Sequence, residues 1–549
     1  MANGPVKIDE YDYFDLATKK RADGDLVGSL TVLRNIEDSG TKNLEVYAMM
    51  GEIFFDMEIY SASQEYWFRY LAGSNRQDVR LKAYSALGAT FCMTMDNYLM
   101  GYYYDLEFAL NPQAEQEYDH ILFDYLDYNK EEFPEFYVTY PTENLSSKNL
   151  FVSALDLVEK GELSAAISRF SMVKPNSEEF DDAVYRAAVC MKETGVNDEG
   201  ILEFLYKKFE EAENKGKVAL SICEMLADGD KEKIKYYLDA AFESDLDEPG
   251  DWYYVARRYA ELGDTDKCER ALDNSLDINP YEIRSIYLYG VILYNRGLIQ
   301  DSRLYFKTGY DISRDQVNLF YYRLTFDENA KKLYPTLPYS YSLPQKEAAR
   351  RITEIALLVA GSKNKLKKTD ADELIALASY GLTFSNNLAG DMIKAFIEYG
   401  PTKVRKFFIY KLLSQVVRNI DKMNIVEALT LIGYDKKVDV VFDNIYLKVR
   451  LFKATFDGDN ARTFESAYAL AVSRTFPFLK DLSYLRDSAY SVYYTLEKRG
   501  KVKKVKSVGA LAAVIIKLSS TKQPEEEMLE RFFKASKEEI KEITDLIND

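Results

Sequence analysis

The sequence is short of the residues on which most catalytic and metal sites depend. It has one histidine, His120, among 549 residues, and four cysteines, Cys92, Cys190, Cys223 and Cys268, none of which forms a CxxC pair. A lone histidine excludes most Ser-His and Cys-His arrangements and His-rich metal sites. Scattered cysteines are typical of buried thiols in a reducing compartment. We therefore expect no catalytic residues, no metal, no cofactor and no enzymatic activity.

Signals for nucleotide binding, export and membrane insertion are also missing. The chain has no P-loop, no GxGxxG after a strand and no HExxH. Its longest apolar runs fall far below the roughly 18 residues of a membrane span. The first residues, MANGPVKIDEYDYF, contain no basic segment followed by an apolar one. We expect a cytoplasmic protein that does not engage a membrane.

Charge is divided unevenly along the chain. The net charge is −18, but residues 317–549 carry 38 Lys and Arg against 29 Asp and Glu, or +9. That leaves 33 against 60, or −27, for residues 1–316. Because their charges have opposite signs, residues 1–316 and 317–549 should bind different partners or contact each other.

The composition favours a chain that is folded throughout, since 47% of the residues are apolar and 44 are tyrosine.

A 34-residue repeat is present in the acidic part. Five glycines fall at this interval, a mostly small residue stands seven positions before each, and a large apolar residue stands nine positions after. These three sets are Gly161, Gly195, Gly229, Gly263 and Gly297; Ala154, Ala188, Ile222, Ala256 and Gly290; and Phe170, Phe204, Leu238, Leu272 and Phe306. Glycine takes a positive φ freely at a helix end, and small residues let two helices approach closely. The pattern predicts helical hairpins that stack on their neighbours.

The segment DWYYVARRYAELGDTDKCERALDNSLDINP (251–280) is similar to the tetratricopeptide repeat (TPR) family. Trp252, Ala256, Tyr259, Gly263 and Pro280 match that family's pattern. Further copies begin nearer the N-terminus, with Ala17 and Gly24, then Tyr47, Gly51 and Trp67, then Tyr84, Gly88, Phe91 and Pro112. The resemblance implies eight repeats, three within residues 10–114 and five within 147–316, on either side of an acidic and aromatic insertion at 115–146.

The period fails after residue 316. Three prolines in LYPTLPYSYSLPQ (333–345) mark a Pro- and Tyr-containing linker, which we place at 317–345. A C-terminal helical domain follows at 346–549. Within it, apolar residues alternate on both sides of Asp443-Asn444 and predict a small β-hairpin at about 437–453. The fold class is thus all-α, a TPR superhelix (an α-solenoid) followed by a C-terminal helical domain with one small β-hairpin.

The last helices, at about 503–548, look like the closing helices of cyclin-type repeats in transcription initiation factors. Ser536 and Glu539 form a capping box at the start of the final helix. That helix is rich in Glu and Asp, which repel phosphates, so we take the likeness as structural.

In TPR proteins the first helix of each hairpin lines a concave groove. The resemblance places seven residues there: Tyr185, Tyr253, Arg257, Arg284, Tyr287, Tyr294 and Asn295. Tyrosine and arginine are frequent anchors of binding surfaces. The resemblance therefore implies a non-enzymatic scaffold or adaptor that binds a protein or peptide segment in this groove.

Two alternatives stay open. One is a peptide-sensing regulator of the Firmicutes type, although no helix-turn-helix or three-helix output domain precedes the repeats. The other is a nucleic-acid-associated regulatory factor that uses the basic residues of the C-terminal half, 346–549.

Overall fold

The structure is a computed structural model that describes most of the chain. The described residues are 10–94, 96–113, 127–128, 138–139, 147–159, 161–177, 179–226, 229–361, 363–384, 388–458, 460–477, 481–519 and 526–548. They fall into two compact units. The first consists of Met1–Val46, Glu52–Ile59 and Tyr84–Pro344, and the second of Tyr47–Gly51, Tyr60–Ala83 and Gln345–Asp549. His120 and most of the predicted insertion lie outside the described residues.

Helical hairpins follow one another along the described residues as far as Ser313. Their sixteen helices are α1 Glu10–Ala22, α2 Leu26–Asp38, α3 Glu45–Asp56, α4 Tyr60–Gly73, α5 Gln77–Met93, α6 Asn97–Leu110, α7 Ser147–Glu159, α8 Leu163–Ser171, α9 Phe180–Glu193, α10 Asp198–Glu211, α11 Gly216–Leu226, α12 Lys231–Phe242, α13 Pro249–Leu262, α14 Thr265–Ile278, α15 Ile283–Asn295 and α16 Ile299–Ser313. Taken two at a time, the helices of the described residues form eight hairpins, which we number as repeats 1 to 8. The strands β1 Asp127–Tyr128 and β2 Val138–Thr139 pair antiparallel between repeats 3 and 4 and add a second two-stranded sheet to the one predicted.

The turn inside most hairpins depends on glycine. Gly161, Gly195, Gly263 and Gly297 all have φ between +74° and +89°, a region that other residues rarely enter. The amide of Gly263, for example, donates to the carbonyl of Ala260 as the helix ends. Gly229 is the exception, since its φ lies outside the left-handed region. The 34-residue period therefore identifies four left-handed turns and one turn of another kind.

Small and large residues sixteen positions apart pack against each other within the hairpins. A Cβ atom added to Gly290 would lie 2.8 to 3.1 Å from ring atoms of Phe306, and one added to Gly51 would lie 2.9 to 3.1 Å from Trp67. The predicted contact between the two helices is thus confirmed. Phe204 departs from the prediction, because it is half-buried while the next residue, Leu205, is fully buried.

The first repeat packs on the last one within the first unit. The buried guanidinium of Arg34, on α2, donates to the carbonyl of Asp311 and, at 2.6 Å, to that of Ile312 at the end of α16. In a similar contact, the side-chain amide of Asn279, at the end of repeat 7, donates to the carbonyl of Met57, in the turn of repeat 2, at 3.2 Å. Repeat arrays normally have contacts only between neighbours. Here the two ends of the array are joined.

The first unit continues beyond the repeats. Helices α17 Gln316–Leu324 and α18 Ala330–Leu333 follow α16, and residues 334–344 have no regular secondary structure. The segment predicted as a linker at 317–345 is therefore partly helical, and its residues up to Pro344 group with the repeats.

The second unit contains the predicted hairpin among helices. Its elements from residue 345 onward are α19 Gln345–Ala360, α20 Lys363–Lys368, α21 Ala371–Phe384, α22 Ala389–Tyr399, α23 Thr402–Lys411, α24 Asn419–Leu431, β3 Lys437–Phe442, β4 Ile445–Arg450, α25 Ala461–Thr475, α26 Ser483–Lys498, a 3-10 turn Val502–Lys504, α27 Val508–Ser519, α28 Glu526–Phe533 and α29 Lys537–Asn548. Asp443 and Asn444 both have positive φ, as a type I′ turn requires. The β-hairpin prediction is confirmed.

The predicted capping box is also present. The amide of Ser536 donates to the Glu539 carboxylate at 2.9 Å, and the amide of Glu539 donates to the Ser536 hydroxyl at 3.3 Å. The cyclin-like resemblance of these helices stays a prediction.

Residues 60–83 belong to the second unit because of a buried polar cluster. The Ser414 hydroxyl donates to the Glu65 carboxylate at 2.7 Å, and Glu65 also pairs with Arg69. The Arg69 guanidinium lies between two rings, 4.4 Å from the Tyr66 centroid and 3.9 Å from that of Tyr410. These contacts join side chains more than 340 positions apart. The sequence analysis, which groups residues 10–114 as one block of repeats, does not predict them.

None of the described helices is long and apolar enough to cross a bilayer. No group of three or more potential metal ligands occurs in the described ranges.

Candidate protein-binding face

The seven predicted groove residues lie on the first helices of three repeats. Tyr185 is on α9, Tyr253 and Arg257 are on α13, and Arg284, Tyr287, Tyr294 and Asn295 are on α15. Their exposure divides them. Tyr185 is 47% exposed, whereas Tyr253 is 6% exposed and Tyr287 and Tyr294 are fully buried. These three side chains are covered by other residues of the same chain.

Residues 334–343, which we call the strap, lie on α15 and α17 in an irregular conformation. The hydroxyl of Tyr287 lies 2.8 Å from the carbonyl oxygen of Pro338, 3.0 Å from that of Ser340 and 3.4 Å from that of Ser342. The hydroxyl of Tyr321, on α17, donates to Ser342 at 2.7 Å. The face thus contacts the strap through main-chain oxygens.

Asn295 makes the most specific of these contacts. Its side-chain amide donates to the carbonyl of Leu337 at 3.2 Å, and its carbonyl accepts from the amide of Leu337 at 2.7 Å. The Asn295 side chain thereby satisfies both main-chain groups of one residue, as a neighbouring β-strand would. The Leu337 side chain is buried beside this clamp.

The ends of the strap are also held. The Tyr294 hydroxyl donates to the carbonyl of Tyr334 at 3.0 Å, and the Lys331 ammonium, 4.3 Å from the centre of the Tyr294 ring, donates to that of Pro335 at 3.1 Å. Desolvation lowers the pKa of Lys331. At the other end the Tyr341 hydroxyl donates to the Asp315 carboxylate at 2.7 Å.

Aromatic rings form the floor under the strap. The Tyr287 ring packs edge-on against Tyr341 at 5.0 Å between centroids and lies 5.4 Å from Tyr321. Burial raises the pKa of both Tyr287 and Tyr341 well above the ordinary value of tyrosine. Burial also raises the pKa of Tyr253. These hydroxyls remain protonated at neutral pH and act as hydrogen-bond donors or acceptors.

The two predicted arginines are paired with neighbouring acids. Arg284 stacks over the Tyr253 ring at 5.1 Å and its Nε lies 2.6 Å from Glu282. Arg257 lies 3.6 Å from Glu261 on the same helix. Both guanidinium groups are on the first-helix side of their repeats but do not contact the strap by any hydrogen bond found among the described residues.

Carboxylates gather at the start of α9 and α13. Burial, with repulsion from Asp182 and Asp247, raises the pKa of Asp181 and of Asp251 to about 6, although Lys217 opposes the shift. Lys217 lies 3.1 Å from Asp247. This end of the array is acidic, in contrast to the aromatic floor under the strap.

An extended segment of the chain itself, the strap, therefore lies on the first-helix side of the last repeats. The described residues have the all-α helical-repeat fold that the TPR resemblance predicts. The sequence analysis predicts Tyr287, Tyr294 and Asn295 on the first helices of their repeats but gives no sign of the strap that contacts them. One signal was present in the sequence, because Pro335, Pro338 and Pro344 follow α18 and make a helix there unfavourable.

No family model and no curated protein sequence matches the chain. Among solved structures, yeast Tom70 is similar over 92% of this chain and 99% of its own, with 12% identity and a TM-score of 0.29. Human IFIT1 is similar over 71% of this chain and 90% of its own, with 14% identity and a TM-score of 0.24. PilF of Pseudomonas aeruginosa is similar over 49% and 92%, with 13% identity and a TM-score of 0.21. TM-scores below 0.5 carry no argument about the function of this TPR-type chain.

Proposed function

We propose that this protein is a non-enzymatic scaffold of the cytoplasm that binds a protein or peptide segment on the first-helix face of its TPR array. The strap is the observation that carries the proposal. It shows an extended segment lying on this face, held by side chains that bind main-chain atoms common to all peptides. The four free cysteines fit a reducing compartment.

The seven predicted residues divide into two roles in this proposal. Tyr287, Tyr294 and Asn295 hold the strap, and the buried Tyr253 stacks with Arg284. Tyr185, Arg257 and Arg284 remain for a partner, and the exposed Tyr185 is its main anchor, since tyrosine combines a large apolar area with a polar tip.

The test compares affinity capture from a lysate of the source cells by three versions of the chain. One is intact, one carries Tyr185→Ala, Arg257→Ala and Arg284→Ala, and one carries Tyr236→Ala. Tyr236 is the matched control, because it is 62% exposed but lies on α12, the second helix of its hairpin. Substitution of the buried Tyr287 or Tyr294 would test folding rather than binding.

A protein retained by the intact chain and by Tyr236→Ala, but lost from the folded triple variant, supports the proposal. The purified partner should then bind the intact chain and bind the triple variant at least about tenfold more weakly, as expected when an anchoring tyrosine is removed. Equal binding to both would show that the partner uses another surface.

A second candidate function, nucleic-acid association, is favoured by one basic loop in the second unit. Residues 498–506, between α26 and α27, contain six Lys and Arg and no Asp or Glu. On α26, which leads into this loop, Tyr494 lies four positions before residue 498 and is 60% exposed. Basic side chains beside exposed aromatic rings are what single-stranded nucleic acids bind.

Fluorescence anisotropy of a labelled single-stranded oligonucleotide tests this candidate. Lys503→Glu with Lys504→Glu should weaken binding and reduce its dependence on salt. Lys367→Glu with Lys368→Glu, on the exposed side of α20, makes the same change in charge elsewhere in the second unit. If both pairs weaken binding equally, the loop is not a specific site.

A further inference from the structure

The strap lies on its face as a bound ligand would, rather than as part of the repeat fold. It has no regular secondary structure, and most of its hydrogen bonds with α15 and α17 join side chains of these helices to its main chain. Two leucines, Leu337 and Leu343, are buried, while Pro335 and Thr336 between the first contacts are exposed. This division into buried anchors and exposed spacers is typical of peptides bound in grooves.

The hydrogen-bonding and apolar groups of the face define the class of peptide that it binds. Hydrogen bonds from Tyr287, Tyr294 and Asn295 reach main-chain oxygens, so they require an extended backbone and no particular side chain. Selectivity comes from strap side chains that pack on the face. Leu337 is buried, and four residues later the half-buried Tyr341 ring packs edge-on against Tyr287. Prolines at 335 and 338 hold the segment extended before binding.

We propose that the face formed by α13, α15 and α17 is a peptide-binding site for extended, proline-containing segments that carry a leucine and, four residues later, a tyrosine. The strap is its tethered occupant, which an incoming segment of the same chemistry displaces. The inference deepens the proposed function, since it assigns a ligand class to one stretch of the TPR face. It does not depend on Tyr185, which lies on α9, two repeats before α13.

Tethering explains how such a site would be regulated. A short flexible tether holds its ligand at an effective concentration of roughly 1 mM. A free peptide that binds the emptied face with a Kd of about 10 μM would therefore bind the intact chain about 100-fold more weakly. Only a partner that is concentrated, or that binds a second surface as well, would open the site.

The experiment uses the full chain and a fluorescent synthetic peptide, KLYPTLPYSYSLPQ, which reproduces residues 332–345. In the emptied variant, Leu337→Ser, Tyr341→Ser and Leu343→Ser remove the buried side chains while leaving the length and the prolines unchanged. We expect saturable binding to the emptied variant and binding at least about 100-fold weaker to the intact chain. A scrambled peptide should bind neither.

Two further substitutions in the emptied variant locate the binding site. Asn295→Ala, which removes the clamp on the leucine main chain, should weaken peptide binding at least about tenfold. Tyr185→Ala should leave it unchanged. Loss of peptide binding on Tyr185→Ala but not on Asn295→Ala would overturn the inference while leaving the scaffold proposal standing, and no binding to a folded emptied variant would also overturn it.

If the emptied variant does not fold, hydrogen exchange of the intact chain tests whether the peptide displaces the strap. The amide of Leu337 donates to Asn295, and we expect it to exchange faster than the amides of α15. In excess peptide it should exchange faster still, because the peptide displaces the strap from the face. If the Leu337 amide exchanges at the same rate as the amides of α15, and peptide does not change that rate, the strap is a permanent part of the fold.

Discussion

Substitution of Gly290 by alanine tests the packing that defines the repeats. An added Cβ would meet Phe306 at 2.8, 3.0 and 3.1 Å, whereas ordinary contacts begin at about 3.4 Å, so the ring must move by about 0.3 to 0.6 Å. The ring cannot move freely, because it is fully buried and lies 5.3 Å from Tyr321 and 6.1 Å from Tyr287. Overpacking of this kind costs about 1 to 3 kcal/mol. Alanine regains up to about 1 kcal/mol of helix propensity.

The expected net result is a loss of about 1 to 2 kcal/mol in the free energy of unfolding. Urea unfolding followed by tryptophan fluorescence measures it, since Trp252 is buried in the same unit. Gly250→Ala is the matched control. Its Cβ would approach an atom at 2.7 Å, but that atom is the tip of the half-exposed Arg284 side chain, which can move away.

A second substitution makes the test sharper. Phe306→Leu in the Gly290→Ala background reproduces the pair formed by Ala256 and Leu272 in repeat 7, both of which are fully buried. The double variant should recover at least about 1 kcal/mol relative to the sum of the single changes. If the two changes are additive and Gly290→Ala is no less stable than Gly250→Ala, close packing at Gly290 does not stabilise the hairpin.

Three further predictions concern stability. Asp181 and Asp251 bind their protons more tightly in the folded state, so stability is lost as pH rises through about 6. After allowance for solvent screening, Asp181→Asn or Asp251→Asn should add about 1 kcal/mol each at pH 7 and almost nothing at pH 4, and an equal gain at both pH values in thermal melts would contradict this. Arg34→Met keeps the apolar stem but leaves two helix-end carbonyls without their donor, so calorimetry should show a loss of about 2 to 3 kcal/mol. Asn444→Gly relieves a positive φ of 60° and should stabilise the second unit by a few tenths of a kcal/mol, up to about 1, whereas Asn444→Val should destabilise it.

The features that sequence reasoning predicted correctly are those that leave a local pattern. The glycine turns, the small and large pairs, the turn at Asp443-Asn444 and the capping box of Ser536 each depend on residues fewer than twenty positions apart. Helical and strand periodicity therefore reveals them.

The features that it missed depend on contacts without periodicity. Arg34 reaches the end of α16 across 278 positions, and Glu65 reaches Ser414 across 349. The occupant of the TPR face was missed for a related reason. Tyr287 and Asn295 bind main-chain atoms of the strap, and main-chain acceptors have no sequence signature.

The contact between the first and last repeats also sets the order in which the chain can fold during synthesis. At about 5 to 20 residues per second, the ribosome needs about 14 to 56 s to make the 278 residues between Arg34 and its acceptor at Ile312. Through that time α2 is present without the helix end that its buried arginine binds. Repeat 1 is thus made long before the repeat that completes its buried contact, and in that interval chaperones can reach the arginine face of α2.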